Sequence, residues 1–261
     1  MITFPNIDPV AIAIGPISIH WYALTYLSGF AGAWALGRWR LQQPWCEWNK
    51  QEFEDFLLYA MWGVILGGRI GYMLFYQSQQ LLSDPLSLLQ IWQGGMSFHG
   101  GFIGVVLATW LFCRKTGKSI WLVTDFVAPL GCIGLFFGRI GNFINGELWG
   151  VESKVPWAVV FPGAGPNPRH PSQLYEALLE GLLLFLILWI YSSKQRSVRR
   201  TSGLFCIFYV LFRSLVELVR VPDAHLGYLN GSWLTMGQLL SVPMLLFGFY
   251  LFFSAKKSDQ S

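Results

Sequence analysis

Two runs of residues combine types and spacings that could do chemistry. Arg139, Asn142, Asn145 and Glu147 follow one another at the end of one long apolar stretch. Arg213, Glu217 and Arg220 stand at i, i+4 and i+7 near the end of another, so on a helix they share one face. An ionisable side chain inside a membrane-length apolar segment costs about 2.5–3.5 kcal/mol on insertion scales and is by default a functional hypothesis. Arginines with few accompanying carboxylates offer forked donors that suit a phosphate better than a metal or a cation. Arg213 reads equally as a helix-packing ion pair with Glu217, and Arg139 also fits a cation at a helix C-terminus. His99, flanked by Gly94, Gly95, Gly100 and Gly101, has an ordinary pKa near 6.5 that suits a general base. A histidine satisfied by a backbone carbonyl is its plainer reading. Tyr22, beside His20 and Trp21, fits either a site or an interfacial aromatic belt. Tyr209, one turn before Arg213, reads as core or as support for it.

The elements that carry these residues follow from composition. Of 261 residues, 54% are hydrophobic and 12% charged, against about 25% charged in an ordinary soluble domain. Seven apolar runs approach the roughly 20 residues needed to cross a bilayer. They are Ser18 to Gly37, Phe53 to Tyr76, Phe98 to Cys113, Ile120 to Phe143, Leu174 to Tyr191, Gly203 to Val219 and Met236 to Phe253. The stretch Gly181 to Tyr191 has no polar face, as a soluble bundle would require. The expected fold is therefore an all-α integral membrane protein of seven transmembrane helices, one polytopic domain over residues 1–261.

Orientation follows from Lys and Arg, which collect in cytoplasmic loops. Arg38, Arg40 and Lys50, then Arg114, Lys115 and Lys118, then Lys194, Arg196, Arg199 and Arg200, and finally Lys256 and Lys257 all fall on one side of a seven-span arrangement. The N-terminus is then outside and the C-terminus cytoplasmic. Arg69, Arg139, Lys154, Arg169, Arg213 and Arg220 break the bias and are the informative ones. Met1 to Pro16 has no basic residue, so the first helix is expected to be retained rather than cleaved. Residues 145–171, rich in proline, predict a small extracytoplasmic cap, and Gln80 to Gln93 an interfacial helix. Ser172 is expected to cap the helix after His170-Pro171. With this topology Tyr22, Arg69, His99, Arg139, Asn142, Asn145, Glu147, Arg213, Glu217 and Arg220 gather in the outer leaflet, at the depth of phospholipid headgroups.

Other classes fit less well. Cys46, Cys113, Cys132 and Cys206 lie far apart with no CxxC pair, which points to neither a disulfide framework nor a metal site. There is no GxSxG and no HExxH. The intramembrane acids read from the sequence, Asp125 and Glu217, form no familiar protease motif. The basic residues act as topology signals, so nucleic acid is not expected as a partner.

The segment Gly138-Arg-Ile-Gly-Asn-Phe-Ile-Asn-Gly-Glu-Leu-Trp-Gly150 closely resembles the signature of the bacterial prolipoprotein diacylglyceryl transferases. The likeness extends to His20-Trp-Tyr22, Gly68-Arg-Ile-Gly-Tyr72, Phe98-His-Gly-Gly101, His170-Pro-Ser-Gln-Leu-Tyr-Glu176 and Phe212-Arg-Ser-Leu-Val-Glu217, nearly the whole chain. The resemblance implies transfer of the sn-1,2-diacylglyceryl group from phosphatidylglycerol to the lipobox cysteine of a preprolipoprotein. A thioether forms and glycerol 1-phosphate leaves, in the first step of lipoprotein maturation. It implies phosphatidylglycerol, preprolipoprotein signal peptides and membrane lipids as partners, no metal or other cofactor, and a plasma (inner) membrane location with the site toward the outer leaflet. By the same resemblance Arg139 holds the phosphate, His99 serves as base for the thiol and Arg213 assists the leaving phosphate, steadied by Glu217. Asn142, Asn145 and Glu147 shape the headgroup site, Gly150 permits close backbone approach, and Tyr22 lines the cavity; Tyr209, from its place one turn before Arg213, is grouped with the substrate-binding residues. A transporter or flippase for anionic phospholipid is the competing class. Alternating access would favour a mid-bilayer site and an internal repeat, neither of which the sequence displays.

Overall fold

The computed structural model describes residues 2–5, 7–15, 17–91, 94–221 and 236–255. Lys256 and Lys257 of the expected orientation signal, and the end of the expected interfacial segment at Trp92 and Gln93, lie outside them. The described chain is mostly helical. Each of the seven apolar runs falls on a helix: α1 (Trp21–Arg40), α2 (Lys50–Tyr76), α4 (Phe98–Thr116), α5 (Ile120–Ile144), α6 (Ser172–Tyr191), α7 (Arg200–Glu217) and α8 (Met236–Ser254). A short α3 (Ser78–Ser83) and a 3-10 turn (Pro85–Leu89) follow α2. Four of the helices, α2, α5, α6 and α8, are long and apolar enough to cross a membrane.

Two expectations need correction. The first helix starts at Trp21, because Ile17–His20 is a strand (β3) paired antiparallel with β2 (Val10–Ile14). Alternating small and β-branched residues at 10–20 suit a hairpin better than a helix. A further strand β1 (Ile2–Thr3) pairs in parallel with β4 (Val159–Val160), so the helical fold carries two small sheets. Ser172, moreover, does not cap α6: its hydroxyl donates to the Leu148 carbonyl at 2.8 Å and Pro171 occupies the cap position.

The backbone divides into two compact units, residues 37–123 and residues 1–36 with 124–261. In the first, Asn49 accepts from the Glu52 amide while the Glu52 carboxylate takes the Asn49 amide, a capping box that starts α2. Ser97 caps α4, and Gly117 in the left-handed region (φ 72°) ends it. These two helices pack through glycine. A methyl group added at Gly67 would collide with the Gly100 carbonyl, so small residues let the backbones touch as they do between membrane helices. Trp48 stacks on Phe112 at 5.6 Å, with Phe56 edge-on at 5.3 Å, to fill the far end of the pair.

In the second unit Cys132, Leu184, Leu188 and Phe212 join α5, α6 and α7 in a buried core. Asp125 of α5 reaches the start of α7, where it accepts from the amides of Arg199 (2.6 Å) and Ser202 (2.7 Å) and from the Ser202 hydroxyl (2.6 Å). It thus supplies a helix start with the acceptor that no residue of its own turn provides. The middle of α6, Ala177–Leu183, is π-helical, a form that clusters at functional sites. Residues 145–171 fold against the end of α7: the Val151 amide donates to Val219 at 2.9 Å and Gly150 bridges to Arg220. Phe4, Val159 and Phe161 form a small core beneath this segment.

Candidate functional site

Three helices of the second unit converge on one buried carboxylate. Glu176 of α6 is 1% exposed and meets Arg139 of α5 at 3.2 Å (Nε to Oε2), Arg213 of α7 through a short contact from NH1, and Arg220 at 3.4 Å. Arg213 also pairs with Glu217 at 2.9 Å. One turn further along α6, Glu180 is fully buried, with Arg139 at 3.6 Å and Arg213 at 3.9 Å. Those separations are long for hydrogen bonds, and neither Glu180 oxygen takes one from the described residues. Tyr209, stacked on Phe205, stands within electrostatic reach of Glu180, Arg139 and Arg213.

This arrangement changes the expected charge balance. The sequence reading had arginines in excess over carboxylates, with Asp125 and Glu217 as the acids within the spans. The structure sets three guanidiniums against three carboxylates, because Glu176 and Glu180 point into the cluster. The signal was available: both glutamates lie in the expected fifth span, four residues apart, just ahead of the all-apolar Gly181 to Tyr191 window. Nor does Arg139 serve as a C-terminal cap of α5, since its guanidinium turns to α6 instead. For Arg213 the packing pair with Glu217 exists, and the same side chain also reaches Glu176.

The residues after Arg139 come together as expected. Asn142 donates to Glu147 at 2.8 Å and Asn145 to the same oxygen at 3.4 Å, which fixes the carboxylate at the end of α5. Tyr22 packs on Gly141, its hydroxyl 3.2 Å from that of Tyr26. Gly150 is required by close approach to the Val219 and His170 backbones, where any side chain would collide. Nearby, the Trp157 indole donates to the Tyr175 hydroxyl at 2.6 Å, and that hydroxyl is 3.0 Å from His170 Nδ1. Burial pushes the His170 pKa below its ordinary value. Arg169 binds within the 145–171 segment, to the Ala164 carbonyl at 3.1 Å and to Glu152 at 3.4 Å.

His99 lies in the first unit, as the second residue of α4. It is exposed, lines a pocket of about 280 Å³ with Phe75, Tyr76 and Ser97, and has no hydrogen bond among the described residues. The carbonyl partner of the plainer reading is not found among the described residues. Arg69, grouped with the chemistry by its position in the sequence, has a structural task instead. The residue is 4% exposed, and its guanidinium donates to the carbonyls of Ser87 (2.6 Å), Leu88 (3.1 Å) and Gly94 (2.6 Å), tying the 3-10 turn and the glycine bend to α2.

Chemically, guanidiniums offer forked donors that suit an oxyanion, and here Glu176, Glu180 and Glu217 already face them. Residues 9–254 match the family model described as prolipoprotein diacylglyceryl transferase. A protein of Solidesulfovibrio magneticus called phosphatidylglycerol--prolipoprotein diacylglyceryl transferase is 60% identical over 253 residues, 96% of each chain. Proteins of the same name from Legionella pneumophila (53% identical, 98% of this chain and 100% of the relative) and Pseudomonas paraeruginosa (54% identical, 99% and 97%) are similar over the same length.

Proposed function

The chain belongs to the prolipoprotein diacylglyceryl transferase family, and from that premise we propose that it moves the diacylglyceryl group of phosphatidylglycerol onto the lipobox cysteine of preprolipoproteins. The thiol sulfur attacks the glyceryl carbon, the carbon–oxygen bond to phosphate breaks, and glycerol 1-phosphate leaves. A thiol with an ordinary pKa near 8.5 is a weak nucleophile until deprotonated, and negative charge grows on the departing phosphate. The reaction thus needs a base and a cationic clamp.

His99 is the base in this reading, and Arg139 and Arg213 are the clamp. The single observation that carries it is the convergence of Arg139 and Arg213, from two different helices, on one buried point. Preorganised cations at the place where charge develops are the largest single source of catalytic stabilisation in many enzymes. Glu217 steadies Arg213, Asn142, Asn145 and Glu147 shape the headgroup site, and Tyr22 and Tyr209 flank it. The whole chain forms one polytopic domain of seven spans in the plasma (inner) membrane, N-terminus outside and C-terminus cytoplasmic, with residues 145–171 as an outer cap and the site toward the outer leaflet.

The test is mass spectrometry of a lipobox-cysteine peptide incubated with purified protein and phosphatidylglycerol. A diacylglyceryl mass gain on the cysteine, absent in Arg139→Ala, is the expected result. No gain with folded wild-type protein would overturn the transferase reading in favour of lipid transport. An active His99→Asn variant would remove His99 as the base.

A further inference from the structure

We infer that Glu180 takes up one proton from solvent when an anionic phosphate headgroup enters the cluster of Arg139, Arg213 and Arg220. The inference rests on the reading of that cluster as the headgroup site. Among the described residues, three guanidiniums face three carboxylates, which balance them in number when all three are ionised. A phosphodiester brings one negative charge. Left uncompensated in a buried site, a net charge is costly, and an ionisable group changes its protonation instead.

Geometry selects the carboxylate that does so. Glu176 touches all three arginines, and Glu217 holds Arg213 at 2.9 Å. Glu180 is wholly buried and has the longest contacts, at 3.6 and 3.9 Å. The charged and titratable groups facing it are Arg139 from α5, Arg213 and Tyr209 from α7, Arg220 beyond α7, and Glu176 on its own helix. When a phosphate draws Arg139 and Arg213 toward itself, Glu180 has the least to hold its charge. The neutral acid then gains an O–H, a donor that the carboxylate lacks. The proton returns to solvent when the phosphate product departs, and the proton of the thiol is a separate one.

The experiment is titration calorimetry of the full-length protein in detergent with a short-chain phosphatidylglycerol, in two buffers of different ionisation enthalpy, between about pH 6 and 8. The expected result is an uptake that rises toward one proton per lipid bound at the alkaline end of this range, with affinity falling about tenfold per pH unit where uptake is complete. Glu180→Gln should bind the lipid without uptake and with a flat pH profile. Lipid binding by wild type without uptake, or undiminished uptake in Glu180→Gln, would overturn the inference and leave the headgroup site standing. Absence of phosphatidylglycerol binding at every pH would overturn the headgroup reading, and this inference with it. The wild-type two-buffer measurement decides the point even where Glu180→Gln does not fold.

Discussion

Arg69 and Arg139 are both buried arginines in apolar helices, yet they are held in opposite ways. The Arg69 donors end on neutral backbone carbonyls of a turn and a glycine bend, at 2.6–3.1 Å. Its charge is solvated by fixed dipoles, and no mobile ligand is needed to complete it. Arg139 faces Glu176 and Glu180, and Glu176 is shared with Arg213 and Arg220. Shared partners can be redistributed when another anion arrives, whereas a carbonyl cage cannot. The same residue type thus ends on backbone carbonyls in one unit and on carboxylates in the other, and only its partners distinguish the two.

The sharpest way to break this contrast is at Glu176. Glu176→Ala should leave buried guanidiniums uncompensated and destabilise the protein by about 3–5 kcal/mol, read from denaturant unfolding in detergent. A loss under 1 kcal/mol would mean that the cluster is far wetter than its burial implies. Arg139→Ala should lower the transfer rate by about 100–1000-fold in a folded protein, measured by peptide mass spectrometry. Arg69→Met should do the reverse, costing about 2–3 kcal/mol of stability from unsatisfied carbonyls while the rate per folded molecule falls less than about tenfold. Limited proteolysis around residues 85–95 should report the loosened turn, and a rate loss like that of Arg139→Ala would erase the distinction.

A smaller effect is expected at the opposite end of α5. Asp125→Ala removes the acceptor for the Arg199 and Ser202 amides and should cost about 1–2 kcal/mol, visible as a lower melting temperature with unchanged lipid binding. The smallest is acid sensitivity at His170. Its folded pKa is depressed, so its neutral form is favoured in the native state. Above the unfolded value of about 6.5 it has no effect on stability, and below it the unfolded chain binds the proton more readily, so stability falls as pH drops. His170→Gln should reduce the loss of melting temperature between pH 7 and about pH 5. An identical loss in the variant would reject that assignment.

How much of this was legible in the sequence differs from residue to residue. The seven helices could be read within a few residues, since apolar length is a local property, although the Val10–His20 hairpin interrupted the first run. The Arg213–Glu217 pair could be read because i and i+4 are neighbours on any helix. Asn142, Asn145 and Glu147 were legible as a group for the same local reason. The role of Arg69 was not, because its acceptors are backbone carbonyls some 18–25 residues away, and carbonyls carry no sequence signature. Glu176 was visible only as part of a motif, and Glu180 lay beside an apolar window that drew attention away from it.

The amino-acid sequence by itself determined that the chain is rich in apolar helices, which family it resembles, and which arginines fall within those helices. Each of these rests on composition or on spacing within one element. Tertiary structure alone decided which carboxylates meet those arginines. Arg139, Glu176 and Arg213 are separated by 37 positions on either side, and the packing of α5, α6 and α7 around Cys132, Leu184, Leu188 and Phe212 brings them into contact. Electrostatic pairing depends on distance in space, and over such separations the apolar core, rather than any local pattern, sets that distance.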